Sequence, residues 1–344
     1  MKIGLVGYQG VGKSTLFEWL TGVAADASMS HTAQSAMATV PDQRMQLLGD
    51  VYNPKKMTYA SLEIVDTPGL MQTHEGNAAR LALIREAGCL ILVTAAFDGS
   101  DPMTDLRTFE EDLMLADMGI VSSRIEKIQM ALKKPVPKSE REDLLHEEHT
   151  LKIVLDALES GEPLRSSEMT EDQLRVTRSF RLLSEKPRLV IVNSADDEEQ
   201  PERFEKNAPE GVDVVVVSAS LELELARMST EDREEFERDM GIGNADRDNI
   251  IRKIMSTAGY MVFFTSGEKE VRSWLLPIGS KAVEAAAEIH TDLARGFIRA
   301  EVMTVSDLVR LGSEREVKAN HLVRQEPKDY VVKDDDILLI RFSV

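Results

Sequence analysis

The sequence contains one cysteine, Cys89, in 344 residues, so no intrachain disulfide can form and a small disulfide-stapled scaffold is excluded. Aromatic residues are scarce, at 5%. No apolar run approaches the roughly 18 residues of a membrane span, and the longest, such as Cys89 to Ala96, are strand-sized; no membrane partner is expected. Positive charge is in deficit as well. Against 60 Asp and Glu there are 41 Lys and Arg, a formal net charge of -19, which repels phosphate backbones at long range, so any contact with nucleic acid must be local. After Met1 and Lys2 the chain enters Ile3-Gly4-Leu5-Val6 without the apolar core or cleavage site of a signal peptide, and a cytoplasmic location is expected. With 42% hydrophobic and 29% charged residues, the composition is that of a folded globular chain with material for two or three domains.

The residues present follow a clear order. Ile3 to Val6, Leu62 to Val65 and Cys89 to Thr94 read as buried strands, with helical patterns at Lys13 to Leu20, Gln43 to Val51 and Gly76 to Glu86. Such alternation predicts a parallel sheet with helices on its faces. From about Asp105 long charged helices take over. The first has Leu113, Ile120, Ile125, Ile128 and Leu132 on one face and breaks at Pro135-Val136-Pro137. A second runs through Leu144, Leu151, Leu155 and Leu158 to Gly161-Glu162-Pro163, and a third from about Thr170 to Ser184. Strand texture resumes at Arg188 to Asn193 and Val214 to Ser218, so the helices read as an arm inserted into one domain. Ser229-Thr230-Glu231-Asp232 caps an acidic helix, and Asn249 to Thr257 forms the last helix before the texture changes again. Beyond Tyr260 the chain is β-rich, with an alanine-rich helix from Ala282 to Ile289 and a final strand from Ile337 to Phe342. Its charge is nearly balanced, 12 Lys and Arg against 14 Asp and Glu from residue 261 onward. The expected division is a domain of residues 1–104 and 185–258, an arm of 105–184, and a small domain of 259–344.

Gly7-Tyr8-Gln9-Gly10-Val11-Gly12-Lys13-Ser14 fits the pattern G-x-x-x-x-G-K-[ST] and lies between a buried strand and a helix, where a phosphate-binding loop must lie. Glycines let the loop wrap closely, so that consecutive backbone N–H groups and the helix N-terminus face the phosphates. The nucleotide-binding residues expected here are Gly7, Gln9, Gly10, Val11, Gly12, Lys13, Ser14 and Thr15. Lys13 would reach the β and γ oxygens and Ser14 would ligate Mg2+. Asp66-Thr67-Pro68-Gly69-Leu70 follows another buried strand. Asp66 is placed to hold Mg2+ through a water, and the N–H of Gly69 to report the γ-phosphate and move when it leaves. Lys13 and Gly69 are thus assigned to catalysis, and Ser14 and Asp66 to the metal.

Asn193-Ser194-Ala195-Asp196 stands where GTPases read the base with N-K-x-D. Its carboxylate can accept from guanine N1–H and the 2-amino group, a pair of donors that adenine lacks; Ser194 replaces the stacking Lys. Ser218-Ala219-Ser220 resembles the S-A-x loop that supports the base. Each of these strings also has a plainer reading, Pro68-Gly69 as a turn and Asn193 to Asp196 as an Asx turn. Leu70 holds the place where many GTPases put a water-orienting Gln or His. It cannot polarise water, so intrinsic hydrolysis should be slow. His74, four residues on, reads as a solvated bystander.

With those residues in view, the chain resembles the YchF or Obg-like ATPase family of P-loop proteins over nearly its whole length. The phosphate loop continues into Thr15-Leu16-Phe17, and Val40-Pro41-Asp42-Gln43-Arg44 and Leu115-Ala116-Asp117 are similar to family strings. The C-terminal stretch adds Phe263-Phe264-Thr265-Ser266-Gly267, Glu270-Val271-Arg272-Ser273-Trp274, His290-Thr291-Asp292, Gly296-Phe297-Ile298-Arg299-Ala300-Glu301 and Lys328-Asp329-Tyr330-Val331-Val332. The resemblance implies an α/β fold, a P-loop NTPase domain with an inserted helical coiled-coil arm and a C-terminal β-grasp (TGS) domain. It also implies a purine nucleotide, GTP or ATP, with Mg2+ as cofactor, and the ribosome or ribosomal RNA as partner.

Family members have a hydrophobic residue in place of the catalytic Gln, as Leu70 is here. They carry Asn-x-x-Glu as the base motif and favour ATP; Asp196 in place of that Glu moves the expectation towards GTP. Gly10 stands where the family usually has Asn. The segment after Leu70 and the loop Phe97-Asp98-Gly99-Ser100-Asp101 are shorter than in relatives, and the loop has none of the histidine they often carry there. An ungapped match back from Val40-Pro41-Asp42 puts Ser30 at the switch I threonine, with Thr32 the neighbouring choice. His290 and Arg299 are candidates for RNA contact, but the near-neutral charge of that region gives no basic stripe, and packing is the favoured reading of both. Two readings stand: a slow nucleoside triphosphatase that changes domain contacts with nucleotide state, and a nucleotide-binding adaptor that does not turn over.

Overall fold

Runs such as Ile3 to Val6 and Leu90 to Val93 are buried on both faces, and chain of that kind belongs in the middle of a parallel sheet covered by helices. The structure, a computed structural model, describes residues 1–26, 32–73, 76–97, 99–161, 170–196, 202–208, 212–229, 231–233, 235–236 and 246–343. It divides into two units, one of residues 1–36 and 64–245 and one of residues 37–63 and 246–344.

The first seven strands are β1 (Lys2–Val6), β2 (Gln34–Thr39), β3 (Met57–Thr58), β4 (Ser61–Asp66), β5 (Cys89–Ala96), β6 (Arg188–Ser194) and β7 (Val214–Val217). Six of them form a sheet in the order β2-β4-β1-β5-β6-β7. Parallel ladders join β1 to β5, β5 to β6 and β6 to β7. The helices Lys13–Thr21 and Asn77–Glu86 lie in connections between strands of this sheet, and Ala219–Arg227 follows its last strand, β7. Cys89 is fully buried in β5, and burial pushes its thiol up to about 12, so it behaves as a small core hydrophobe. The strand β2 alternates between less and more exposed residues, but Gln34 lies on its inner side and Met37 on its exposed side, so its sequence carries no matching apolar period.

Between β5 and β6 a helical hairpin leaves the sheet. Asp101 accepts the Met103 N–H at 3.1 Å and Pro102 takes the first turn, so the first arm helix, Pro102–Leu132, starts earlier than its apolar pattern. After the Pro135-Val136-Pro137 break the second, Lys138–Ser160, runs until Gly161, in the left-handed region at φ 75°, caps it. Val121, Ile125, Ile128, Leu151, Val154, Leu158 and Leu182 form a core of their own between them. The buried stripe of the first helix differs from its reading in the sequence. Ile120 is 37% exposed and Val121 is fully buried, because the stripe passes through Leu113, Asp117 and Val121 at four-residue intervals, and a buried carboxylate fills its second place. The third helix is also shorter, Glu171–Arg178 with a Thr170–Gln173 capping box. Arg181 takes φ 48°, which ends helical geometry and lets Phe180 and Leu182 fold onto the hairpin core.

The second unit holds β8 (Tyr260–Thr265), β9 (Val271–Pro277), β10 (Phe297–Thr304), β11 (Arg324–Glu326) and β12 (Asp336–Phe342). With β3 they make a sheet ordered β11-β10-β12-β8-β9-β3, in which β8 and β9 form an antiparallel hairpin and β12 runs parallel to β8. The helix Ala282–Ile289 buries Ala282, Ala285 and Ala286 against Phe263, Leu276, Val302 and Leu338. Small alanines allow that close approach. The segment 37–63 belongs to this unit: Ala60 N–H donates to Ser273 Oγ at 2.8 Å, and Arg44 pairs with Asp42 and Asp334 beneath the face of Phe264.

Candidate functional site

Four loops leave the C-terminal ends of β1, β4, β6 and β7, the edge at which parallel α/β sheets bind ligands. The first is the glycine loop. Gly12 stands at the N-cap of the helix Lys13–Thr21 with φ 90°, a conformation L side chains rarely adopt, and a Cβ there would run into Asn193 Nδ2. Lys13 is buried and its Nζ donates to Tyr8 O at 2.7 Å and to Gly7 O at 3.4 Å. Burial lowers its ammonium pKa to about 8, with the Asp66 carboxylate acting in the opposite direction. Gln9 and Gly10 are exposed at the tip, Val11 is buried, Ser14 is exposed and Thr15 is half-buried.

The Asp66–Leu70 loop docks on the glycine loop through main chain. Gln9 N–H donates to Leu70 O at 3.1 Å and Leu70 N–H to Gly7 O at 3.0 Å, while Thr67 Oγ1 donates to Leu5 O at 2.6 Å. No side chain fits at Gly69: a Cβ would lie 2.7 Å from Lys13 Nζ and 2.8 Å from both Gln9 N and Tyr8 O. Ser14 Oγ donates to Asp66 Oδ2 at 2.6 Å. The other carboxylate oxygen, Oδ1, is buried without a hydrogen-bond partner, and burial raises the carboxyl pKa despite Ser14 and Lys13. A hydroxyl beside a desolvated, half-satisfied carboxylate is chemistry that suits a hard divalent cation. Leu70, whose main chain bonds the glycine loop, is only 1% exposed.

Asn193, at the end of β6, holds the remaining loops together. Its Nδ2 donates to Val11 O at 3.0 Å and its Oδ1 accepts from Ala219 N at 3.0 Å. The exposed Asp196 accepts a short hydrogen bond from Ser218 Oγ. Lys13, Ser14, Asp66, Gly69, Asn193, Asp196, Ser218 and Ala219 are therefore gathered at one edge. Ser194, at the position of the stacking lysine, is buried. Thr32 is exposed; Ser30, His74 and Asp98 lie outside the described residues. His290 caps the short helix Thr291–Arg295 through its Nδ1, and Arg299 is exposed on β10. Sequence reasoning did not find Tyr8, whose hydroxyl donates to Asp112 Oδ2 at 3.0 Å, a pairing across 104 residues for which no local pattern exists.

Comparison with known proteins adds the following. The model of the YchF GTPase C-terminal region, described as a protein of unknown function, matches residues 260–343. A model described as a 50S ribosome-binding GTPase matches residues 2–134. The chain is 34% identical to the ribosome-binding ATPase YchF of Bacillus subtilis, over 99% of each chain. It is 33% identical to the Obg-like ATPase 1 of Oryza sativa subsp. japonica, over 100% of this chain and 92% of that one. The solved structure of the Schizosaccharomyces pombe YchF GTPase superimposes with a TM-score of 0.86 at 25% identity, covering 99% of this chain and 97% of that one.

Proposed function

The chain belongs to the YchF family of P-loop nucleoside triphosphatases, and from that premise we propose a Mg2+-dependent enzyme that binds GTP or ATP, hydrolyses it slowly and acts at the ribosome. The observation that carries this reading is that Ser14 Oγ donates to Asp66 Oδ2 while Gly69 lies against Lys13 Nζ, both where the glycine loop meets the Asp66–Leu70 loop. A buried ammonium beside a wrapped glycine loop neutralises phosphate charge where water screens little. The residues Gly7, Gln9, Gly10, Val11, Gly12 and Thr15 offer main-chain donors and room for close approach. Ser14 and Asp66 would hold Mg2+, which when bound offsets charge on the β and γ phosphates. The N–H of Gly69 would report the γ-phosphate, and Asn193 fixes the start of the helix after Ser218 by accepting from Ala219 N. Asp196, exposed at one edge, is the group offered to the base. The Bacillus subtilis relative is described as ribosome-binding, and we place this chain's partner there and the enzyme in the cytoplasm. Residues 1–104 and 185–258 would carry the nucleotide domain, less the segments 37–63 and 246–258 that pack in the second unit, with 105–184 the arm and 259–344 a TGS-like β-grasp domain.

The buried Leu70 favours a second reading, a nucleotide-binding adaptor that does not turn over, because the position that orients water elsewhere is closed to it. Calorimetric titration of the protein with ATP and with GTP in Mg2+ tests the binding site. Saturable binding lost in Lys13→Ala is expected, and no binding of either nucleotide would contradict the proposal. Asp196→Ala should weaken GTP more than ATP; equal losses would remove Asp196 from base reading.

A further inference from the structure

Tyr8 is the second residue of the glycine loop and makes contacts in two directions. Its carbonyl accepts from Lys13 Nζ at 2.7 Å. Its ring packs edge-on against Phe109, with centroids 5.4 Å apart and planes at 83°, and its hydroxyl donates to Asp112 Oδ2 at 3.0 Å. Phe109 and Asp112 both lie on the first arm helix, Pro102–Leu132. Tyr8 is 5% and Asp112 8% exposed, so this hydrogen bond to a carboxylate is shielded from water and costly to break without replacement. One residue thus joins the phosphate-facing lysine to the arm, by main chain on one side and by side chain on the other.

The same helix is held at a second point. Arg85, in the last turn of the helix Asn77–Glu86 that follows the Asp66–Leu70 loop, places Nη1 2.6 Å from Asp117 Oδ1. Asp117 Oδ2 accepts from Ser184 N at 2.9 Å and Oγ at 2.8 Å, where the chain returns from the arm. Asp112 and Asp117 are about 7.5 Å apart along the helix and roughly 140° apart around it. The glycine loop and the helix after the Asp66–Leu70 loop therefore grip different faces of one rod. Close-packed interiors transmit displacement rather than absorb it.

We propose that Tyr8 is a positioning residue that couples occupancy of the phosphate site to the orientation of the arm. Phosphate oxygens compete with the Tyr8 carbonyl for Lys13, the loop readjusts at Tyr8, and the Tyr8–Asp112 hydrogen bond passes that readjustment to the Pro102–Leu132 helix, with Arg85–Asp117–Ser184 as the fixed root. The inference rests on the nucleotide-binding reading above. Burial and the adjacent Asp112 hold the phenol protonated across the neutral range, so it remains a donor.

Amide hydrogen exchange of the full chain, followed over residues 102–132 and 138–160 with and without saturating nucleotide and Mg2+, tests it in wild type, Y8F, D112A and D112N. A calorimetric titration of each protein sets saturation. Wild type should show a nucleotide-dependent change in arm exchange, reduced at least about threefold in Y8F and D112A. D112N, whose amide oxygen still accepts the phenol, should retain it. Phenylalanine keeps the ring on Phe109, so a purely packing role for Tyr8 would leave the Y8F response unchanged. That result, or a wild type that binds nucleotide without any change in the arm, overturns the coupling. If Y8F does not fold, D112A against D112N decides in the same way. A wild type that binds no nucleotide instead overturns the functional reading, and the coupling falls with it.

Discussion

At the scale of single residues the lysine sets a pH dependence. Lys13 neutralises phosphate only as the ammonium, and burial brings its pKa down to about 8, so nucleotide affinity should be full below that pH and decline above it. Bound phosphate raises the pKa again, and binding near pH 8.5 should therefore take up a proton that binding near pH 7 does not. Titrations in buffers of different ionisation enthalpy measure this directly; a buffer-independent heat near pH 8.5 would exclude it. Gly69→Ala forces a Cβ against Lys13 Nζ, Gln9 N and Tyr8 O, so it should lower single-turnover hydrolysis at least tenfold, about 1.4 kcal/mol in the barrier, while the fold survives by circular dichroism. Asn193→Ala strips the partners from Val11 O and Ala219 N in a buried setting, a cost of about 1–3 kcal/mol to be read from urea unfolding. The phosphate and metal residues were legible in the sequence because their spacing encodes backbone geometry: a loop of one length must end at one lysine. Asn193 as a clamp and Tyr8 as a tether were not, since each acts on a partner brought near only by the folded sheet.

Among elements, the arm is a small hydrophobic body with its own core. Leu151, fully buried between its two helices, is the position to test: Leu151→Ala should destabilise the hairpin by about 2–5 kcal/mol. The effect should appear as faster amide exchange confined to residues 102–160, with protection in β1, β5 and β6 retained; uniform loss across the chain would mean that arm and sheet unfold as one. The central strands and both long helices were readable from apolar period alone. Ile120 was misplaced because Asp117, a carboxylate paired with Arg85 and Ser184, interrupts the apolar stripe and shifts its apparent phase. The end of the third helix was missed because Arg181 leaves helical geometry at φ 48° with no glycine or proline to announce it. The edge strand β2 alternates in burial, but with a polar Gln34 inside and an apolar Met37 outside its residue types gave no pattern to read.

In the whole molecule the least expected feature is that residues 37–63 pack with residues 246–344. Arg44 carries much of that packing, through Asp42, Asp334 and the ring of Phe264. Arg44→Ala should lower the stability of the second unit by about 1.5–3 kcal/mol. Arg44→Lys should not restore it, since a lysine cannot reproduce the two-sided planar contact; thermal unfolding of both variants checks this. The family could be recognised from strings spread along the chain, but the union of these two segments could not, because contacts more than 200 residues apart in sequence leave no local trace. The proposed enzyme requires a phosphate site that turns over. The measurement that tests it most directly is phosphate release under single-turnover conditions, with GTP and with ATP in Mg2+, against Lys13→Ala. We expect release on the order of 10⁻³ s⁻¹ or slower, in keeping with a P-loop site lacking a water-orienting side chain and a supplied arginine, and none from the variant. Release no faster than in Lys13→Ala, in a protein that binds nucleotide, would contradict the enzyme and leave the adaptor.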